Sequence, residues 1–134
     1  MSRTATFLFT DIENSTANWQ RDPHGMRRLL ETHDRLLRSA ITDHAGTIFA
    51  TGGDGFAAMF ENAGEAIAAA IEAQRALRDG LPLASLRVRM GLHTGEAFSR
   101  GGDFFGPAVN RAARIMSLAE GGQIMCSAVT ADIA

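Results

Sequence analysis

Two carboxylates stand where a hard cation could use them. Asp11 closes the run Ala5–Ile12 (ATFLFTDI), and Asp54 sits inside Gly52-Gly53-Asp54-Gly55. Aspartates with open positions around them suit Mg²⁺ or Mn²⁺, which complete an oxygen shell with water and substrate phosphates. Two such ions side by side fit phosphoryl or nucleotidyl transfer. The glycines around Asp54 let a ligand approach the backbone closely. The same residues also fit a plainer pair of turn carboxylates, because Asp and Gly are both frequent in turns.

Two further stretches could serve such chemistry. Asn14-Ser15-Thr16 follows Asp11 and opens a short helix, whose free N–H groups could face an anion or simply be capped. Asn110 and Arg114 are four residues apart in a helical run, so they share a face, and Arg111 lies off it. An amide beside a guanidinium can hold a ribose oxygen and a phosphate, and the pair also fits a solvated helix face. The four histidines (His24, His33, His44, His93) show no metal-ligand spacing. His33 falls on the inner face of its helix, and the other three are assigned to the surface. Cys126 reads as a core residue of a short strand, and Phe104-Phe105 as packing side chains.

The elements that must position these groups follow from periodicity. Ala5–Ile12 reads as a buried strand. A short helix carrying Trp19 comes next. Pro23 restarts a long amphipathic helix running to about His44, which Gly46 closes. Thr47–Thr51 and Phe56–Phe60 are two strands joined through the glycine-rich acidic tip, a hairpin. Asn62–Gly80 is an Ala-rich helix that Pro82 breaks. Leu86–Leu92 alternates as a strand, and His93–Gly102 reads as a turn or short arm. Pro107 sits one residue before a helical run to about Leu118, Gly121-Gly122 ends it, and Gln123–Cys126 is a last short strand before the start of another helix. The order is β-α-β-β-α-β plus an extension. That is the α+β, ferredoxin-like split βαβ layout, with a mostly antiparallel sheet and helices on one face. In such a sheet the first strand pairs with the third, which brings Asp11 and Asp54 side by side.

Composition narrows the function. The chain has 134 residues and a net charge of −2, which argues against a module living on a broad basic surface for nucleic acid. All 13 basic residues are Arg. With no Lys, Schiff-base and P-loop lysine chemistry are excluded. One Cys rules out an internal disulfide and a Cys-cluster zinc site. No apolar run approaches the length of a membrane span, and the first residues lack a signal-peptide layout, so a cytoplasmic domain without a membrane partner is expected.

At four places the sequence resembles the class III adenylyl/guanylyl cyclase catalytic domain, and most closely the short-arm bacterial subgroup common in actinobacteria. They are Phe9-Thr10-Asp11-Ile12-Glu13 with Ser15-Thr16, Gly53-Asp54-Gly55, Arg89-Met90-Gly91-Leu92-His93-Thr94-Gly95, and Gly106-Pro107-Ala108-Val109-Asn110-Arg111-Ala112-Ala113-Arg114. They run in the family's order across nearly the whole chain. The resemblance implies an adenylate cyclase acting as a head-to-tail homodimer with active sites in the interface. Asp11, Asp54 and the Ile12 carbonyl of one subunit would bind two Mg²⁺ or Mn²⁺ ions. Asn110 and Arg114 of the other would orient the ribose and stabilise the transition state. Asp103, seven residues before Asn110, matches the position that reads the adenine amino group. ATP, with GTP as a competitor, is the implied substrate, and other signalling domains are the implied fusion partners.

Two departures qualify this. Ala50 occupies the position of the family's purine-selecting Lys, four residues before Asp54. Losing a hydrogen bond from a charged donor costs on the order of 1.5–3 kcal/mol, so weak activity or relaxed base choice is expected. The chain also ends at Ala134, before the region where many members carry a phosphate-binding Lys, so the expected domain (1–134) is cut short. A catalytically silent cyclase-homology domain that binds nucleotide or dimerises to regulate attached domains is the alternative. Gly52-Gly53-Asp54-Gly55-Phe56 also looks like the GGDEF signature of diguanylate cyclases. Gly55 removes one acid from that signature, however, and the Asn110/Arg114 helix does not belong to it.

Overall fold

The computed structural model describes residues 2–80 and 86–134. In chain order these form β1 (Ser2–Ile12), α1 (Ser15–Arg21), α2 (Pro23–Asp43), β2 (Thr47–Gly52), β3 (Gly55–Phe60) and α3 (Ala63–Gly80). Then follow β4 (Val88–Arg100), β5 (Asp103–Phe105), α4 (Pro107–Leu118), β6 (Ile124–Cys126) and α5 (Ala128–Ile133). The expected helix breaker Pro82 lies outside the described residues. No helix described is long and apolar enough to cross a membrane.

β1 is apolar on both faces, which only a central strand with cover on both sides can satisfy. It pairs antiparallel with β3 on one side and β4 on the other. The order β2-β3-β1-β4-β5 contains the split βαβ sheet expected from the sequence, and β6 joins β4 in parallel. Leu8 and Ile12 point to one face with Phe56, Phe60, Met90 and Leu92, under α2 and α3. Ala5 and Phe7 point to the other, with Met59, Ala97 and Phe104, under Ala108, Val109 and Ala112 of α4. The two helices of the split βαβ therefore share a face as expected, while the extension's α4 covers part of the opposite one. The α4 contact is close because it is built from small residues. A Cβ on Gly91 would lie 2.6 Å from Met116 Cα and closer still to its nitrogen.

Four local expectations change. α2 does end in a Schellman turn, with Gly46 N–H donating to Ile41 O (2.9 Å) and Ala45 N–H to Thr42 O (3.2 Å). The left-handed residue in it is Ala45 (φ 62°), not Gly46. Gly46 is needed one place later, where a Cβ would sit 2.6 Å from the Phe60 ring and 2.7 Å from Ile41 Cγ2. The segment after Leu92 is not a turn: β4 continues to Arg100, and its end pairs with β5. Cys126 is exposed, because β6 is a three-residue edge strand. Phe104 is packed against Phe7 and Phe49, with ring centroids 5.8 and 5.1 Å apart. Phe105 is exposed and stacks on Phe98.

Candidate active site

The register of three strands brings the two carboxylates to one end of the sheet. Thr10 of β1 sits opposite Phe56 of β3, so Asp11 falls beside Gly55, and Asp54 is the next residue in the hairpin tip. Thr10 Oγ1 accepts a hydrogen bond from Phe56 N (3.2 Å) and locks this register. A Cβ at position 55 would meet Thr10 O at 2.6 Å and Asp11 Cβ at 3.8 Å, so glycine is what lets the tip close against β1. Asp11, Asp54 and Ala50 line one open cleft of about 360 Å³, together with Phe9, Gly55 and Phe56. Both aspartates are half-buried and Ala50 is exposed.

Asp11 has a partner the sequence reading missed. Arg89 lies directly opposite it on β4. Arg89 Nε donates to Asp11 Oδ1 (2.7 Å) and its NH2 to Oδ2, a two-pronged ion pair. The guanidinium also reaches Ser117 O at the end of α4 (3.4 Å). The Asp11 hydrogen bonds, against some loss from burial and with the charges of Asp11, Glu13 and Asp54, raise the Arg89 pKa further above its ordinary value. Glu13 turns the other way and accepts from Gly121 N (2.8 Å), tying the end of β1 to the turn before β6. The alternation Arg87-Val88-Arg89 placed Arg89 on a face, but only the register pairs it with Asp11.

The donor set suits a hard divalent ion. It offers two carboxylates on one cleft; Ile12, whose carbonyl is the expected third ligand, follows Asp11 in the chain and buries its side chain in the core. Among the described residues no cluster of three or more His, Cys, Asp or Glu could hold a metal, so water and substrate oxygens would fill the remaining positions. Asn14 precedes α1 in a left-handed conformation (φ 57°) and its side chain makes no capping bond. The expected N-cap by Asn14 is therefore absent. Ser15 and Thr16 form the first turn of α1.

Asn110 and Arg114 are exposed on α4, as their spacing predicts, and neither lines the Asp11–Asp54 cleft. Asp103 is exposed beside the Gly101-Gly102 turn, where its Oδ1 accepts from Phe104 N (2.8 Å). One chain thus carries two sets of candidate groups and does not bring them together. His93, expected at the surface, is buried against α4 and α5. Its Nδ1 is 2.7 Å from Ser127 Oγ. His33 is fully buried as expected, with Nδ1 2.8 Å from Asp34 Oδ1. His44, also expected at the surface, is half-buried and bridges Glu65 and Glu72 of α3.

Residues 2–134 match the family model of the adenylate and guanylate cyclase catalytic domain. The chain belongs to this family. An uncharacterized protein of Mycobacterium tuberculosis is 41% identical over 132 residues, covering 97% of this chain and 45% of its own length. An adenylate cyclase of Podospora anserina is 35% identical over 147 residues, covering 90% of this chain and 7% of its own. The adenylate/guanylate cyclase/hydrolase of Silicibacter pomeroyi superposes with a TM-score of 0.84 at 30% identity, over 100% of this chain and 80% of that one. The chain spans less than half the length of these two sequence relatives.

Proposed function

We propose that this chain converts ATP to 3′,5′-cyclic AMP and pyrophosphate, in active sites shared between the two subunits of a head-to-tail homodimer. The observation that carries this is the division of the site. Asp11 and Asp54 line one cleft, while Asn110 and Arg114 stand exposed on α4 outside it. Two copies related by a twofold axis would place the α4 groups of each over the cleft of the other, giving two equivalent sites.

In this reading Asp11, Asp54 and the Ile12 carbonyl hold two Mg²⁺ or Mn²⁺ ions. When bound, these supply charge neutralisation at the phosphates and acidify the ribose 3′-hydroxyl. The amide of Asn110 orients the ribose. Arg114 sets a guanidinium against the charge that grows on the phosphoryl oxygens. Asp103 accepts from the adenine amino group, and the backbone of Asn14, Ser15 and Thr16 lies at the phosphates. The 3′-oxygen gives its proton to solvent water and bonds to the α-phosphorus. The bond from that phosphorus to the bridging oxygen breaks, and pyrophosphate leaves. Ala50 supplies no hydrogen bond to the purine, so GTP competes better than a Lys at this position would allow. The domain works in the cytoplasm, joined to other signalling domains.

The test is cyclic nucleotide formation from ATP and GTP with Mn²⁺ over a range of protein concentrations. Activity should rise more steeply than protein concentration as dimers form. Asp54→Ala and Asn110→Ala should each be inactive. Mixed in equal amounts they should regain about a quarter of the wild-type rate, because half the dimers are mixed and each mixed dimer has one intact site. A mixture as dead as its parts would refute the shared site. The silent regulatory domain is the second reading. The Arg89 clamp on Asp11 and the missing lysine at Ala50 favour it, and wild-type chain inactive at every concentration would shift the reading to it, with nucleotide binding the next measurement.

A further inference from the structure

β4 has a gap along its outer edge. β6 pairs with Met90–Leu92 and β5 with Phe98–Arg100, leaving residues 93–97 between them. Between this stretch and the first turns of α4 lies an open cavity of about 400 Å³, lined chiefly by His93, Glu96, Phe98, Pro107, Ala108 and Arg111. It shares no lining residue with the Asp11–Asp54 cleft. Its volume falls within the range of small-molecule sites.

The polar groups of this cavity are organised from beneath. His93 is only 7% exposed. Its Nδ1 is held by Ser127 Oγ at 2.7 Å, and from there hydroxyls continue inward. Ser127 Oγ is 3.2 Å from Thr130 Oγ1, Thr130 Oγ1 is 2.9 Å from Thr94 Oγ1, and Thr94 Oγ1 is 2.8 Å from Thr6 Oγ1. All three threonines are buried. Each hydroxyl has one proton to give, so the chain runs in one of two senses. When every group donates toward His93, Nδ1 accepts and Nε2 carries the ring proton. In the other sense Nδ1 donates and Nε2 is left as an acceptor.

Nε2 has no hydrogen-bond partner among the described residues, and it lies 3.6 Å from the Cβ position that Gly95 leaves empty. Burial, and then the charge of Arg111, lower the His93 pKa and favour the neutral ring. Arg111 itself has no acidic partner among the described residues. The one acid on the rim is the exposed Glu96, whose charge opposes a polyanion such as a nucleotide. Phe98, Pro107 and Ala108 form an apolar wall. A neutral ligand would leave the guanidinium unused, and an inorganic anion would leave the wall unused.

We infer that this cavity binds a small organic monocarboxylate, with its carboxylate held by Arg111 and the Nε2–H of His93 and its apolar body against Phe98 and Pro107. Such a ligand fixes the hydroxyl chain in the sense that donates toward His93.

The experiment follows the His93 ring by ¹H–¹³C NMR of the whole chain, with the resonance assigned through His93→Gln, during titration with sodium benzoate at constant ionic strength. Benzamide and inorganic phosphate serve as the neutral and the purely anionic comparison. The expected result is a saturable benzoate shift, with both comparison compounds at least about tenfold weaker. Arg111→Gln should weaken benzoate by about ten- to a hundredfold, the worth of one charge-assisted hydrogen bond, with the thermal midpoint unchanged because Arg111 is exposed. Benzoate binding should persist in Asp54→Ala. The inference is overturned if wild-type chain shows no saturable shift, if benzamide or phosphate binds as well as benzoate, or if Arg111→Gln leaves affinity unchanged. It is equally overturned if Asp54→Ala abolishes the shift, which would place the binding in the other cleft.

Discussion

A tight backbone approach between helix and sheet gives the sharpest test of how the candidate site is held. Gly91→Ala adds one methyl group where β4 meets α4. That carbon would stand 2.6 Å from Met116 Cα, while ordinary contact begins at 3.4 Å, so α4 must retreat by about 0.8 Å or more. The obstacle is backbone and cannot be relieved by a rotamer change. Overpacking costs about 1–3 kcal/mol, and a backbone clash belongs at the upper end. With about 2.1 cal/mol/K of unfolding entropy per residue over 134 residues, about 3 kcal/mol is a fall in Tm of roughly 10 °C. Scanning calorimetry measures it. Gly52→Ala is the control, since a Cβ there meets nothing within 4 Å, and its Tm should move by no more than about 3 °C. If α4 carries catalytic groups as proposed, the same retreat should cut the proposed cyclase turnover at a temperature where the variant is still folded, by about a hundredfold if a 1 Å misplacement costs what it does elsewhere. A Gly91→Ala variant with wild-type Tm would refute the claim that this contact sets the position of α4.

Other perturbations separate the remaining parts. Arg89→Gln removes the two-pronged bond to Asp11, in a pair whose side chains are 26% and 25% exposed, and should cost about 1–2 kcal/mol in chelator. If Asp11 is a metal ligand, Mn²⁺ should shrink that deficit in a thermal-shift assay, and an equal deficit with and without Mn²⁺ would count against the assignment. Ala50→Lys should raise the ATP-to-GTP ratio of kcat/KM by about tenfold, and an unchanged ratio would mean position 50 does not read the base. His44 is pulled down by burial, but hydrogen bonds and charge from Glu72 and Glu65 outweigh this and raise its pKa above 6.5. Its stabilising contribution is therefore complete below the unfolded value and lost as pH rises through the folded one. His44→Gln should be less stable than wild type near pH ~6 and converge with it near pH ~8.5, as urea unfolding at the two pH values will show.

What could be read from the sequence was whatever local rules decide. α4 ends at Leu118 as expected and starts at Pro107, one residue earlier than expected, because a proline at the first turn and an apolar stripe mark its extent locally. Asp11 and Asp54 were recognisable because strand ends and glycine turns are local too. The continuation of β4 was not, since His93, Thr94 and Glu96 interrupt the apolar alternation. His93 and Thr94 are nevertheless buried, because Ser127, Thr130 and Thr6 satisfy their polar atoms from other elements. Arg89 and Asp11 are 78 residues apart, and no property of either residue names the other before the register exists. Ala45 in a left-handed turn is the same kind of failure. The steric demand that puts glycine at position 46 comes from Phe60, on a different strand.

The central place of β1 has a consequence for how the chain comes to be folded. Ser2–Ile12 is made before every strand it pairs with, and its longest ladder is to Val88–Phe98. At ordinary elongation rates of about 5–20 residues per second, the 76 residues from Glu13 through Val88 take on the order of 4–15 s to make. Through that interval one edge of an apolar strand stays unpaired, with only the β2–β3 hairpin to shelter the other. Folding must then close a loop of this length before its largest ladder forms, which places the domain among the slow folders. Nascent chains stalled shortly after β3 should therefore engage chaperones, and chains stalled past β4 should not.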